Sequence, residues 1–589
     1  MSLNAISRRA LLRAGLFAGA AALLEACRPA APTPLPPAPI ATAAPATPTI
    51  SVTTATTTST PAPKSRLLPG QLPVARNVAL PSRLPIEVST PDLPGSADGL
   101  IDPGYINYPS RPFKAVAETP GSGGEVTVAT YTQLPPPTPM DSNPAWQAAN
   151  NQLGVTLKIN ISPLADYLTT RLATIIAGDD LPDILYIAPT AIVNGLPQFL
   201  QAKCADLTPY LSGDAVKDYP NLANLPTLAW NSVVFDGRIC GIPAAYPLFV
   251  SVHWVHQELL DRDGLQQPRS MDEYTHLLKH FTNPQRDMYG LVSGGNSNGF
   301  GFTSGFFPEM YGLPYNWSLD GTGKLTNVIE MPAYKEAINS ARELWAAGVC
   351  SPKSLEYNPV SARDDFAARK FAFCSNPFLH SAVTFFSTAS NLEPPGKYRV
   401  VSPFGASAGV KPTYWAQPGL FGYSVLKKAS SERINELLRI LNWIAAPFGS
   451  QEYLLMQYGV KDVDYTLDEL GNPVPIQHGK AHTTIPWQYI TQAPVALYLP
   501  GNSEFPTVMQ SAEKALLPVS QVDPMSTLYS NTFAAKGTVL AQLVADRVAE
   551  VVLGRAPVSS IDQLISDWRN QGGNQIRSEF ERAIATVAS

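Results

Sequence analysis

The sequence predicts an α/β protein, and three observations carry that prediction. Glu125 to Tyr131 (EVTVATY) alternates apolar and polar residues, with valine in the apolar slots, as a half-buried strand does. Val155, Leu157, Ile159 and Ile161 repeat the pattern, and Asp183-Ile184-Leu185-Tyr186-Ile187 supplies a third strand. Between them lie two helix-compatible stretches. The first runs from Asn143 to Leu153; the second places Leu164, Leu168, Leu172, Ile175 and Ile176 at helical spacing and closes at Gly178. Strand, helix, strand, helix, strand in about sixty residues implies a parallel sheet with crossover helices. In such sheets the ligand crevice lies at the carboxyl ends of the strands.

The chain has 589 residues, room for several domains of roughly 100–200 residues each. Charged residues make up 15%, low against the usual ~25%, while a hydrophobic share of 45% leaves material for real cores. Net charge is −5, and −7 for a chain beginning at Cys27, because the first 26 residues carry Arg8, Arg9, Arg13 and Glu25. A mildly acidic chain without Lys/Arg blocks lacks the phosphate-neutralising groups that drive nucleic-acid binding. The same balance argues against binding to anionic lipid surfaces.

From the N-terminus, residues 1–26 read as an export signal. Arg8-Arg9 precedes an uncharged apolar run, Ala14 to Leu24, too short to span ~30 Å of hydrocarbon as a helix. Ser7-Arg8-Arg9-Ala10-Leu11-Leu12 resembles the twin-arginine motif, and Leu24-Glu25-Ala26-Cys27 resembles a lipoprotein box whose Cys27 carries the lipid. Residues 27–64 are almost entirely Pro, Ala, Thr and Ser, without an aromatic residue. Such a tract cannot bury enough apolar surface to fold and acts as a stiff, disordered tether. Residues 65–123 remain rich in proline and glycine, but aromatics begin at Tyr105; an irregular arm lying along the folded body is expected.

Beyond Tyr186 the elements stay mixed. Ser270-Met271-Asp272-Glu273 is a capping box ahead of Tyr274, Leu277, Leu278 and Phe281 at helical spacing. Ser559 with Asp562 opens another helix, bearing Ile561, Leu564, Ile565 and Trp568 and expected to close at Gly572-Gly573. With Cys27 assigned to lipid, Cys204, Cys240, Cys350 and Cys374 remain. Outside the cytoplasm four cysteines allow three disulfide pairings, of which Cys204–Cys240 with Cys350–Cys374 is the local choice, and free buried thiols are the alternative, since cysteine is a common core residue.

Several segments, in order, resemble one family. Phe235-Asp236-Gly237-Arg238-Ile239-Cys240-Gly241-Ile242-Pro243 resembles the "dGkiYGIP" segment of sugar-type extracellular solute-binding proteins, with cysteine in place of tyrosine. Glu258 to Leu265 (ELLDRDGL) is similar to their "DLLDklGL", and Tyr311 to Trp317 (YGLPYNW) to their "fGxpnxW". Asn442 to Tyr453, Gly459 to Tyr465 and Trp568 to Glu579 resemble segments of the large lipoprotein branch. The resemblance implies a periplasmic-binding-protein type II fold: two α/β lobes around a ligand cleft, with residues 125–245 plus 376–425 in lobe 1 and 246–375 plus 426–589 in lobe 2. It implies capture of a carbohydrate, an oligosaccharide given the size, and delivery to the permease subunits of an ABC importer. The expected protein is a monomer outside the bacterial cell membrane, held there by its lipid anchor alone.

A sugar cleft needs aromatic platforms for C–H faces beside groups that satisfy hydroxyls. Trp230, Tyr246, Trp254, Trp317, Trp415 and Trp487 fall in or near predicted loops and crossovers, and Asp183 and Glu309 are candidate hydroxyl acceptors. Trp415, bounded by Gln417-Pro418-Gly419, is the leading platform. Trp443 and Trp568 fall on helix stripes and read as core. His276 with His280, His478 with His482, and His253 with His256 have ligand-like spacing but no third ligand, so no metal is expected. No nucleophile elbow, P-loop or dinucleotide fingerprint occurs, and neither enzyme activity nor a cofactor is expected. The alternatives are a secreted carbohydrate-active enzyme, which turnover would reveal, or a ligand sensor on the same tether.

Overall fold

The computed structural model describes residues 78–588 except 87–88, 189–192, 250, 294–305 and 355. The chain divides into Met1–Ala62 and Pro63–Ser589, and all described residues belong to the second unit. The expected export signal, Cys27 and the tether therefore lie outside the described residues.

A first sheet has the order Thr156–Pro163, Glu125–Thr132, Ile184–Ile187, Leu420–Leu426, Ile242–Ala245. The first three strands are parallel, as predicted. The Leu420 strand runs antiparallel between the Ile184 and Ile242 strands. Burial along Glu125–Thr132 exceeds simple alternation, because both faces are covered from Val128 onward. Helix Pro144–Leu153 starts where the Asn143 side chain accepts from Trp146 N–H, and it stops at left-handed Gly154. The second predicted helix is broken by a wide turn, Tyr167–Arg171, and Gly178 ends it in extended rather than left-handed geometry.

A second sheet has the order Tyr398–Val400, Ser251–His256, Phe371–Pro377, Tyr289–Ser293. Helix Met271–Phe281 packs beside it, capped by Ser270 as predicted; the reciprocal Glu273 carboxylate takes Arg269 N–H instead of that of Ser270. The pair Gly572-Gly573 does not end its helix. It kinks it, with Gly572 at φ 151, and the chain continues through Asn574–Ala588. A Cβ on Gly573 would lie 2.3 Å from Trp568, so the bend lets the backbone pass the indole.

The division of the chain between the two cores differs from the expected boundaries. One core gathers residues of 126–245 with residues of 420–490. The rest, including the strands at Phe371 and Tyr398 and the helices after residue 500, builds the other. The reason is local. Helix Ser431–Ile444 follows the Leu420 strand directly and buries Ile434, Leu437, Leu438 and Leu441 in that same core, while Asn442 Oδ1 accepts from Asn221 N–H at 2.8 Å. The chain thus crosses between lobes three times, near 245–251, 413–420 and 492–504.

The segment before Glu125 docks by backbone pairing. Ser82 and Leu84 N–H groups donate to Gly213 and Ala223 carbonyls at 2.8 Å on the first lobe. Further on, Tyr105 N–H donates to Leu497 O and Leu497 N–H to Pro103 O, on the third crossing. Gln510 Nε2 donates to the carbonyls of Leu93, Pro94 and Asp102. Tyr105 and Tyr108 close over Phe448 in a small aromatic cluster.

Two carboxyl groups meet under this segment, where Asp102 N–H donates to Glu513 Oε2 at 2.9 Å. Burial pushes Asp102 up to about 7 and holds Glu513 well above the usual carboxyl range, the Asp102 charge raising it further. Unfolded carboxyls ionise near 4, so the native state keeps protons that the unfolded chain has lost. The contribution of this pair to stability is then present in acid and is lost as pH rises from about 4 through 7. We predict that Glu513→Gln, which keeps an acceptor for Asp102 N–H, flattens the fall in melting temperature between pH 5 and pH 8. A slope identical to the wild type would contradict this.

Candidate functional site

The carboxyl edge of the first sheet carries a ledge of rings. Tyr131 is the last residue but one of its strand, Phe421 is the second of the Leu420 strand and Tyr246 follows Ile242–Ala245; the antiparallel direction of the Leu420 strand brings all three to one edge. Tyr489 stacks on Tyr131 with centroids 4.3 Å apart, and Tyr246 lies 4.6 Å from Phe421. Phe421 and Tyr489 are 5.7 Å apart, which joins the two pairs. Tyr131 and Tyr489 are buried, whereas Tyr246 and Phe421 are half-buried.

Three devices fix the ledge. The register shifts between Leu420 and Gly422, a bulge that re-aims Phe421. Tyr186 OH donates to Phe421 O at 2.7 Å, and a Cβ on Gly422 would stand 2.3 Å from that hydroxyl, so only glycine fits there. The segment 489–491 is pinned by three hydroxyl-to-carbonyl bonds: Thr130 to Tyr489 O, Ser424 to Ile490 O and Thr491 to Pro243 O. Burial raises the phenols of Tyr131 and Tyr246 and keeps them neutral donors.

The lobes are tied beside this ledge. Tyr246 N–H donates to Gly419 O at 3.0 Å and Gln417 N–H to Leu248 O at 2.7 Å, so two crossing segments form one ribbon. Ala245 N–H donates to Gln492 O, adding the third. Farther out, the Tyr529 hydroxyl, just before helix Asn531–Val552, accepts from Gly195 N–H at 3.0 Å and donates to Val193 O at 3.1 Å. That contact closes one lobe on the loop after Ile184–Ile187.

Of the residues singled out by sequence, only Tyr246 stands on the ledge. Trp230 and Trp487 are buried in the first core, Trp487 edge-on to Trp443. Trp254 is fully buried on the central part of the second sheet, against Phe385. Asp183 sits at the opposite, amino end of the strands; it accepts from the N–H and hydroxyl of Thr127 and lies 3.1 Å from Arg433. Glu309 is buried beneath Trp415, accepting its backbone N–H at 2.9 Å, and burial pushes its carboxyl up to about 8. Trp317 lines a separate pocket with Trp568.

Trp415 is not in an open loop. It belongs to a short strand, Tyr414–Ala416, paired with Ser520–Val522, and is 9% exposed. Its indole N–H donates to Leu313 O at 2.9 Å and its ring meets Tyr315 edge-on at 4.8 Å. Cys204, Cys240, Cys350 and Cys374 are buried thiols that no disulfide joins, each placed among apolar neighbours that burial favours. Burial pushes Cys204 up to about 12 and Cys240 to about 11, so neither is a ready nucleophile. Among the described residues no group of three His, Cys, Asp or Glu side chains could hold a metal. Sequence reading missed Tyr131, Phe421, Tyr489 and Tyr529. Tyr131 alone had a signal, as the aromatic closing a predicted strand at its carboxyl end.

No family model matches the chain. A polygalacturonan/rhamnogalacturonan-binding protein of Bacillus subtilis, YtcQ, is 25% identical over 436 residues, covering 70% of this chain and 82% of its own length. Lipoprotein LipO of the same organism is 21% identical over 482 residues, or 78% and 93% of the two chains. The solved structure of an HMO-binding, ABC-transporter-associated solute-binding protein from Bifidobacterium longum infantis aligns with TM-score 0.60 at 12% identity, over 79% of this chain and 99% of that one. The topology and these likenesses define the fold as the two-lobed periplasmic-binding-protein type II fold. The sequence resemblance to sugar-type extracellular solute-binding lipoproteins is matched by these two relatives, one named as a polygalacturonan/rhamnogalacturonan-binding protein and the other as a lipoprotein.

The buried position of Trp415 reverses what a loop platform would do on truncation. Trp415→Ala should lower the stability of the empty protein by about 3–5 kcal/mol, read as a melting temperature several degrees lower. An unchanged melting temperature would return Trp415 to an exposed loop.

Proposed function

We propose that the protein captures an oligosaccharide outside the cell between its two lobes and hands it to an ABC importer. The observation that carries this is the ring ledge abutting the hydrogen-bonded crossing ribbon, with Tyr246 belonging to both. A half-buried aromatic face accepts the C–H face of a sugar ring, and the neutral phenols donate to hydroxyls. Closure adds contacts only when the lobes meet, and ligand shifts the population by its differential affinity for the closed form. The name of the YtcQ relative makes pectic oligosaccharides the first ligands to try.

The test is a thermal-shift panel of polygalacturonan and rhamnogalacturonan fragments beside neutral oligosaccharides. A true ligand stabilises by about 2.7 kcal/mol at 100-fold excess over Kd. A binder returns it unchanged; a product of shorter chain length would support the enzyme reading instead. Tyr246→Ala should weaken the identified ligand by about 1–3 kcal/mol, by analogy with base–aromatic stacking, while the apo melting temperature stays close to wild type. Calorimetry showing unaltered affinity would remove Tyr246 from the site.

The membrane tether belongs to this proposal too. Its support is the Leu24-Glu25-Ala26-Cys27 segment and the similarity to LipO. Cys27→Ala should move the protein from the membrane to the soluble fraction on cell fractionation, and retention in the membrane would refute lipid attachment at Cys27.

A further inference from the structure

A pocket of about 200 Å³ opens in the second lobe, away from the ledge. It lies among helices Pro332–Ala346, Asn531–Val552 and Ser560–Trp568, and no residue of the first core lines it. Its walls include the rings of Trp317, Phe533 and Trp568. An apolar cavity of ~150 Å³ admits benzene, so this space is sized for one six-membered ring with its substituents.

The polar groups say which kind of ring. Trp317 and Trp568 are 4% and 6% exposed, and neither indole N–H makes a hydrogen bond among the described residues. Asn316 donates its amide N–H to Asp523 at 2.8 Å, leaving its side-chain oxygen free, and Asn327 accepts from Ile329 N–H, leaving its amide hydrogens free. The lining thus offers ring faces, the indole, amide and phenol groups of Trp317, Trp568, Asn316, Asn327, Tyr315 and Tyr334 for hydrogen bonding, and no charged side chain. The Arg577 guanidinium stands over the Trp317 ring, 6.0 Å from its centroid, and Arg577 is not in the lining. Aromatic faces match the C–H face of a sugar, and the donors match its hydroxyls. The lack of charge excludes a uronate as the preferred occupant.

We propose that this pocket is a second carbohydrate site, taking one neutral pyranose residue against Trp317 and Trp568. It deepens the carbohydrate reading above by assigning a place to a neutral sugar unit. Tyr315 lines the pocket and also meets Trp415, so the site is one ring away from the strand that crosses between the lobes.

The experiment is fluorine NMR on the full chain labelled with fluorotryptophan, with the Trp317 and Trp568 resonances assigned by Trp→Phe variants. The probes are methyl α-L-rhamnopyranoside and sodium galacturonate at millimolar concentration. Both resonances should move saturably with the rhamnoside and stay still with galacturonate. Ala541→Phe, an exposed position at the pocket rim, should abolish the shift. Still resonances with the rhamnoside, equal response to galacturonate, or a full response in Ala541→Phe would each overturn the proposal. Failure of the thermal-shift panel with moving resonances would refute the cleft reading and leave the pocket standing; the reverse pattern would refute only the pocket.

Discussion

The structure depends on a short hydrogen-bonded ribbon. Where the chain leaves the first sheet after Ala245 it runs beside the segment that returns at Leu420, joined by Tyr246 N–H to Gly419 O and Gln417 N–H to Leu248 O. Because exit and return are neighbours, the antiparallel Leu420 strand must be inserted between the Ile184 and Ile242 strands. Each lobe is therefore discontinuous in sequence. The same pairing sets Tyr246 and Phe421 side by side at the carboxyl edge, so one constraint builds both the hinge and the ledge.

Rigidity and freedom are divided accordingly. The ledge is over-determined: a bulge, a glycine at φ 145 beneath the Tyr186 hydroxyl, and three hydroxyl bonds to segment 489–491. The lobes are joined by few crossing backbone bonds and by the Tyr529 contact at the loop after Ile184–Ile187. In the proposed function this ledge serves as a pre-organised ligand face on one lobe, toward which the partner lobe closes. The segment before Glu125 adds to this by pairing with the third crossing at Leu497, on which the Asp102 and Glu513 carboxyls also converge.

Local structure was legible from local chemistry. Alternating valines marked the first strand, Asn143 and Ser270 marked helix starts, and the order of short motifs pointed to the two-lobed fold. What required long-range pairing was not legible. Nothing near Leu420 says that its strand pairs with Ile184, some 240 residues away, and so the lobe boundaries and the assignment of helix Ser431–Ile444 could not be read. Tryptophan was a poor guide for a related reason. Its area favours burial wherever the fold allows, and Trp230, Trp254 and Trp487 became core, while the ledge was built from tyrosine and phenylalanine. Asp183 illustrates the same point for charge. A carboxylate beside a strand can serve a site or fasten the sheet, and only the strand direction showed that it stands at the wrong end for the cleft.

The central claim is that two lobes close on a sugar about the Tyr246–Gly419 ribbon. Small-angle X-ray scattering of the full chain, with and without the oligosaccharide found in the panel, addresses it directly. The account predicts a smaller radius of gyration when ligand saturates the protein, and no such contraction in Tyr246→Ala at the same ligand concentration. A radius of gyration unchanged by a ligand that calorimetry shows to be fully bound would contradict closure as the basis of capture.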